Sequence, residues 1–123
     1  MLKEIMKEVI KEELLGKKET SKESLSKQFE GKVCMFRTDS AGVHFGTLVE
    51  KDRQECLLKN SRRIYSWAKA CSLSQLAMEG DKDIENCKIA MIVDEIILDQ
   101  VIEVIPMTNE AIKILLGAPV WKK

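Results

Sequence analysis

The run LLKNSRRIYSWAKACSLSQLAMEG, residues 57–80, holds the signals that decide the fold. Arg63, Tyr65 and Trp67 share one parity; Arg62 and Ile64 share the other. A strand over 63–68 therefore carries Tyr65 and Trp67 on one face, and a pocket that uses both arginines sits at a strand end or bend. Ser72, Leu73, Ser74 and Gln75 read as a capping box, with the Ser72 hydroxyl accepting from the Gln75 amide and the Gln75 side chain reaching back. The helix this starts spans 73–79, buries Leu73, Leu76 and Ala77, and stops at Gly80. Two cations, two rings and a helix N-terminus thus fall within about a dozen residues, a set suited to a flat anion such as a nucleotide.

Upstream, Val33, Cys34, Met35 and Phe36 form a short apolar strand ending at Arg37 and Thr38. Asp39, Ser40, Ala41 and Gly42 are turn residues. A second strand follows over 43–49, with Gly46 inside it marking a bulge or a close approach by another backbone or a ligand. Residues 50–53 form a polar turn and 55–58 a third strand, which makes the run over 63–68 the fourth. Downstream, residues 81–86 form a charged loop. IAMIVDEIILDQVIEVI, 89–105, is strongly β but too long for one strand, so two bent strands meet near Asp99. Pro106 ends the second. Thr108 caps a last helix with Ile112, Leu115 and Leu116 inward, and Gly117 and Pro119 stop it. Val120 and Trp121 fold back onto the core.

Ahead of all this, residues 1–15 have helical spacing: Leu2, Ile5, Met6, Val9, Ile10 and Leu14 make one apolar stripe. Gly16 is the stop. Thr20 to Glu23 offers another capping box for a short helix that ends before Gly31, with Leu25 and Phe29 four apart. The stripe suits packing on the chain's own domain, an oligomerising or swapped arm, or a membrane surface; the balanced polar face argues against the last. The expected organisation is a helical arm over 1–30 and a ligand-binding core over 31–123. The expected class is α+β: a small, curled, barrel-like antiparallel sheet with two short helices and that N-terminal amphipathic arm.

The 123 residues suffice for one domain with one core. Lys and Arg number 20 and Asp and Glu also 20, so bulk attraction to nucleic acid or anionic membranes is not expected. The charge is unevenly placed: basic over 51–71 and acidic over 81–110. That suits faces that meet between subunits, and equally two solvated faces. Cys34, Cys56, Cys71 and Cys87 lack any Cys-x-x-Cys spacing, and His44 is the one histidine, so no metal or other cofactor is expected. No run approaches a membrane span. The N-terminus alternates Lys and Glu with apolar residues and carries no uninterrupted apolar core, which leads to a cytoplasmic expectation.

For chemistry, Arg62 and Arg63 are the first candidates, as bidentate phosphate contacts, with surface ion pairing the plainer role. Arg37 is a third cation beside a turn whose amides, from Ser40 through Ala41 and Gly42 to Val43, suit an anion-cradling nest. Tyr65 and Trp67 are either core or a stacking platform worth about 1–3 kcal/mol per base. His44, after the turn, serves as a base or a donor. No nucleophile or carboxylate pair is spaced for catalysis, so binding rather than an enzyme is expected. A protein-interaction module is the alternative, since Arg and Trp are enriched at interface hot spots.

Lys59-Asn60-Ser61-Arg62-Arg63-Ile64-Tyr65-Ser66-Trp67 followed by Ser72-Leu73-Ser74-Gln75-Leu76-Ala77 resembles a family of small phage proteins. The hallmark is an arginine pair, aromatics ending in Trp, then a Ser-Leu-x-x-Leu-Ala helix start. Ser40 to Val43, Glu103-Val104-Ile105-Pro106 and Val120-Trp121 extend the likeness over residues 32–122; the N-terminal segment lies outside it. This chain departs from the pattern at Ile64 or Ser66, where a further aromatic often stands, which thins any stacking surface. The resemblance implies a phage or prophage protein acting in the host cytoplasm against the Thoeris defence. Such proteins are sponges: they bind a cyclic ADP-ribose isomer without chemistry. Such a signal presents two phosphates and a base, and a cyclic dinucleotide two of each. The residues suit either; the resemblance favours the first. A symmetric homo-oligomer lining a shared pocket fits both.

Overall fold

The computed structural model describes residues 25–122. The arm over 1–15 and the capping box at 20–23 lie outside them. Of the short second helix, Leu25–Phe29 forms a 3₁₀ turn. Six strands and two helices follow: β1 Val33–Thr38, β2 Val43–Asp52, β3 Glu55–Ser66, α1 Leu73–Glu79, β4 Lys88–Ile89, β5 Val93–Leu98, β6 Val101–Pro106 and α2 Asn109–Leu116. The class is α+β, with a curled, mostly antiparallel six-stranded sheet. Among the described residues no helix is long and apolar enough to cross a membrane.

The hydrogen-bonded order is β4–β3–β2–β1–β6, and β5 also pairs with β3. β5 and β6 are joined by the two residues Asp99 and Gln100, yet one borders β3 and the other β1. The sheet must therefore curl until its edges approach, although it does not close. The curl encloses Cys34, Phe36, Leu48, Cys56, Leu58, Leu98 and Val101, flanked by Phe29, Ile96 and Val104. The other face carries Met35, Phe45, Ile64 and Ile89, and packs on Leu76 and Ala77 of α1 and Leu115 of α2. Each such fully buried aliphatic or aromatic side chain stabilises the fold by roughly 1.5–3 kcal/mol.

The two strands expected at 55–58 and 63–68 are one strand of 12 residues. What parts them in sequence, Asn60-Ser61, is a bulge: the β2–β3 register shifts between Phe45 and Thr47, and Asn60 takes φ 53°. Asn tolerates that left-handed conformation better than most residues. Gly46 sits opposite because nothing larger fits: a Cβ there would lie 2.9 Å from the Ser61 Cα. The glycine expectation is met in its backbone form. The long strand also ends earlier than expected, at Ser66, so Trp67 is released from the β parity.

Both helix starts match their sequence signals. Ser72 Oγ accepts from the Gln75 amide at 3.1 Å, while the Gln75 side chain accepts from Cys71 rather than from Ser72. Thr108 Oγ1 accepts from the Ala111 amide at 3.1 Å. Just after α1, Asp81 is buried and holds the loop that precedes the helix, with its carboxylate accepting from the amides of Lys69 and Ala70, and from that of Asp83. After α2 the chain folds back: Val120 bridges Ile89, and the Trp121 amide donates to the Ile89 carbonyl.

Candidate functional site

The strand expected from 89 onward breaks at 90–92. β4 and β5 both run along the outer edge of β3, and the break falls beside Arg62 and Arg63. The Ala90 amide still donates to the Arg63 carbonyl, after which the chain leaves the sheet. The break opens a cleft of about 290 Å³ lined by His44, Ser61, Arg63, Tyr65, Ala90, Met91, Val93 and Ile96. No Asp or Glu is among these residues.

Cross-strand register decides which expected residues reach it. His44 pairs with Arg63 and Phe45 with Arg62, so the two arginines occupy opposite faces. Arg62 is 3% exposed and takes no part in the cleft. Its Nε donates to the Ala90 carbonyl at 2.7 Å. Its Nη1 donates to Leu115, Leu116 and Ala118, and its Nη2 to Ile89 and Pro119. The guanidinium satisfies the orphan carbonyls at the end of α2 and ties them to the strand break. The expected phosphate contact is corrected here: Arg62 is a structural staple with its donors committed.

Arg37 is also removed from the set. It pairs across the ladder with Val43, one row from His44, on the opposite face from Arg63, and its Nε donates to Glu103 Oε1 at 2.9 Å. The nest expected at the turn is largely filled from within. The Ala41 amide donates to Thr38 Oγ1 at 2.8 Å, and that hydroxyl donates to the Gly42 carbonyl. Ser40 reaches only the Gln100 side chain, at 3.5 Å. Val43 packs on the helical core. Ser72 is engaged in its cap and does not line the cleft. Trp67 packs against the helical core with Ala70 and Leu73, so its platform role is corrected to core.

What the structure does bring together is His44, Arg63 and Tyr65. Tyr65 is 53% exposed. Its ring centroid is 5.7 Å from the Arg63 guanidinium carbon and 5.1 Å from that of Trp121, with the two rings tilted by 55°. Lys88 Nζ lies 5.6 Å from the far Trp121 ring. The row Arg63–Tyr65–Trp121–Lys88 thus sets two adjacent rings between two cations, and starts in the cleft lining at Arg63 and Tyr65.

His44 is buried beneath Arg63. Its Nε2 lies 3.0 Å from the Ala41 carbonyl oxygen, which can only accept, so that nitrogen carries the proton. Arg63 Nε approaches the same nitrogen at 3.3 Å. With Nε2 protonated, this contact sets two donors face to face and satisfies neither. The His44 pKa is pushed below its usual 6.5, by burial first and by the Arg63 charge as well, against the Ala41 bond that raises it. His44 is therefore neutral at pH 7. Arg63 has no carboxylate within ion-pair distance among the described residues, and its Nη groups have no acceptor there.

Two contributors carried weak sequence signals. Ser61 lies on the cleft floor, placed by the Asn60 bulge and the Gly46 gap. Trp121 reaches the Tyr65 ring by folding back. Ala90, Met91 and Val93 were hidden inside an apolar run. Residues 31–115 match a family described as Domain of unknown function (DUF6948). Among curated proteins none matches the chain.

Proposed function

The chain belongs to the DUF6948 family, and from the chemistry of the cleft we propose that it is a non-enzymatic nucleotide-binding protein that sequesters a cyclic signalling nucleotide. One observation carries this: Arg63, a guanidinium with no ion-pair partner among the described residues, faces a cleft whose lining has no carboxylate and adjoins the Tyr65–Trp121 ring pair. An unmatched planar cation attracts an oxyanion in bidentate fashion. The rings beside it offer stacking to a base. Tyr65 is two residues along the strand from Arg63, about 7 Å, which is the span a ribose bridges between phosphate and base.

A cyclic ADP-ribose isomer is the favoured ligand and a cyclic dinucleotide the other, a preference that comes from the phage-protein resemblance. At about 290 Å³ the cleft lies at the lower end of small-molecule sites, roughly 300–1,000 Å³. It fits one nucleotide half, and a second copy of the chain completes the enclosure. The proposed place of action is the host cytoplasm, against the Thoeris signal. Titrating the protein with a panel of cyclic nucleotides, then heating it and identifying what is released, tests the proposal. Intact ligand supports it, degraded ligand turns it into an enzyme, and no binding at micromolar concentration removes it.

A second reading, a module that docks a host or phage protein, is favoured by the edge next to the cleft. Met91 is 63% exposed and Ile97 67%, with Ile92 and Val93 also open to solvent. Exposed apolar residues along a sheet edge invite association. A lysate partner lost on Ile97→Lys but kept on Arg63→Ala would favour this reading over nucleotide binding.

A further inference from the structure

Besides Arg63, the cleft holds a buried polar group that the described residues leave without a partner. Ser61 is 1% exposed, and its Oγ has no hydrogen-bond partner among the described residues. Buried hydroxyls are normally bonded, and an exception in a cleft points to a missing guest. The side chain is not placed there by regular strand geometry. The Asn60 bulge and the side-chain-free Gly46 position it, and its neighbours across the cleft are the apolar Ala90, Met91, Val93 and Ile96.

Resting on the reading of the cleft as a nucleotide site, we infer that Ser61 is a ligand-contacting residue whose hydroxyl and the Arg63 fork together hold one phosphate group. Ser61 and Arg63 are two residues apart on one strand, about 7 Å between Cα atoms, a gap that a phosphate with a hydrogen bond on each side fills. A planar guanidinium engages two oxygens in its own plane. The Ser61 hydroxyl, two residues back on the same strand, takes a third. A carboxylate is planar and presents its oxygens in the plane of the guanidinium fork, whereas a tetrahedral phosphate also presents an oxygen outside that plane. Ser61 thus adds selectivity for phosphate over carboxylate to the charge that Arg63 supplies.

The experiment compares wild type, Ser61→Ala and Arg63→Ala with AMP, ADP-ribose and adenosine as probes, each with an apo melting curve. Ser61→Ala is expected to weaken AMP and ADP-ribose binding about tenfold, about 1.4 kcal/mol, and to leave adenosine unchanged. Its apo melting temperature is expected to stay the same or rise, because no protein bond is lost. Equal phosphate affinity in Ser61→Ala and wild type, with binding lost in Arg63→Ala, would overturn the Ser61 role and leave the cleft reading standing. An apo melting temperature lowered by several degrees would also overturn it, since the hydroxyl would then have a structural partner. Failure of wild type itself to bind either phosphate probe would sink the nucleotide reading and this inference with it. Ser61→Cys, which keeps the size but donates weakly, should reproduce the alanine result.

Discussion

Arg63 Nε lies 3.3 Å from Nε2 of His44, a nitrogen already committed to the Ala41 carbonyl at 3.0 Å. The two residues face each other across the β2–β3 ladder. Neither cancels the other's unmet need, so the arrangement keeps a cation available and a histidine neutral. The pH response follows from this. The folded-state pKa of His44 lies below the ordinary 6.5. A base depressed in the fold binds more protons when unfolded, so its stabilisation is complete above 6.5 and is lost as pH falls through the lower folded value. Melting temperature should therefore decline below pH 6.5. His44→Gln, which keeps a donor for Ala41 without titrating, should flatten that decline over the range above the carboxylate region. An unchanged profile would show that His44 is not the group responsible.

The neighbouring arginines should separate stability from binding. Arg62→Ala strips the end of α2 and the strand break of their donor and leaves buried carbonyls unsatisfied at about 1–3 kcal/mol each. A loss above about 3 kcal/mol in denaturant unfolding is expected. Arg63→Ala removes a side chain whose Nη groups have no acceptor among the described residues, so stability should change by no more than about 0.5 kcal/mol. The reverse order of effects would mean that the roles have been exchanged.

The two aromatics should divide in the same way. Trp67 packs on the helical core. Trp67→Ala should cost about 2 kcal/mol or more, allowing for its partial burial. Tyr65→Ala loses the ring pair with Trp121, about 0.5–1.5 kcal/mol, and the Arg63 contact, but should weaken ligand binding by about 1–3 kcal/mol. Trp121 fluorescence, read in a Trp67→Phe background, should respond to ligand and lose that response in Tyr65→Ala.

Thiol labelling checks the packing of the curl. Burial pushes the Cys34 and Cys56 thiols up to about 11, and Cys87 is raised as well. A thiol reagent acts on the thiolate. Cys71 is exposed, so it alone should label quickly in the native protein, with the other three reacting only on unfolding. Fast labelling of Cys34 or Cys56 would contradict the enclosed core.

Much of the fold was legible because local signals and burial agreed. Ser72 and Thr108 mark both helix starts, and Gly80 and Gly117 both stops. The apolar run over 33–36 and the turn residues at 39–42 placed β1 and β2. The site was less legible, for one physical reason: parity holds only while a strand is regular. The Asn60 bulge merged two expected strands into one and placed Ser61 on the cleft floor. The end of β3 at Ser66 freed Trp67 into the core. Parity did separate Arg62 from Arg63, yet nothing local showed that Arg62 would be enclosed by the carbonyls of a helix more than fifty positions away. Likewise the break at 90–92, which opens the cleft, lies in an apolar run that carries no turn residues.

The most direct measurement is calorimetric titration of wild type and Arg63→Ala with cyclic ADP-ribose isomers and cyclic dinucleotides, beside a melting curve for each protein. The cleft as described predicts saturable binding of at least one of these by wild type at micromolar concentration or tighter, and loss of that binding in an Arg63→Ala protein that melts where wild type does. Equal binding by both proteins, or no heat from any of the nucleotides, would contradict it.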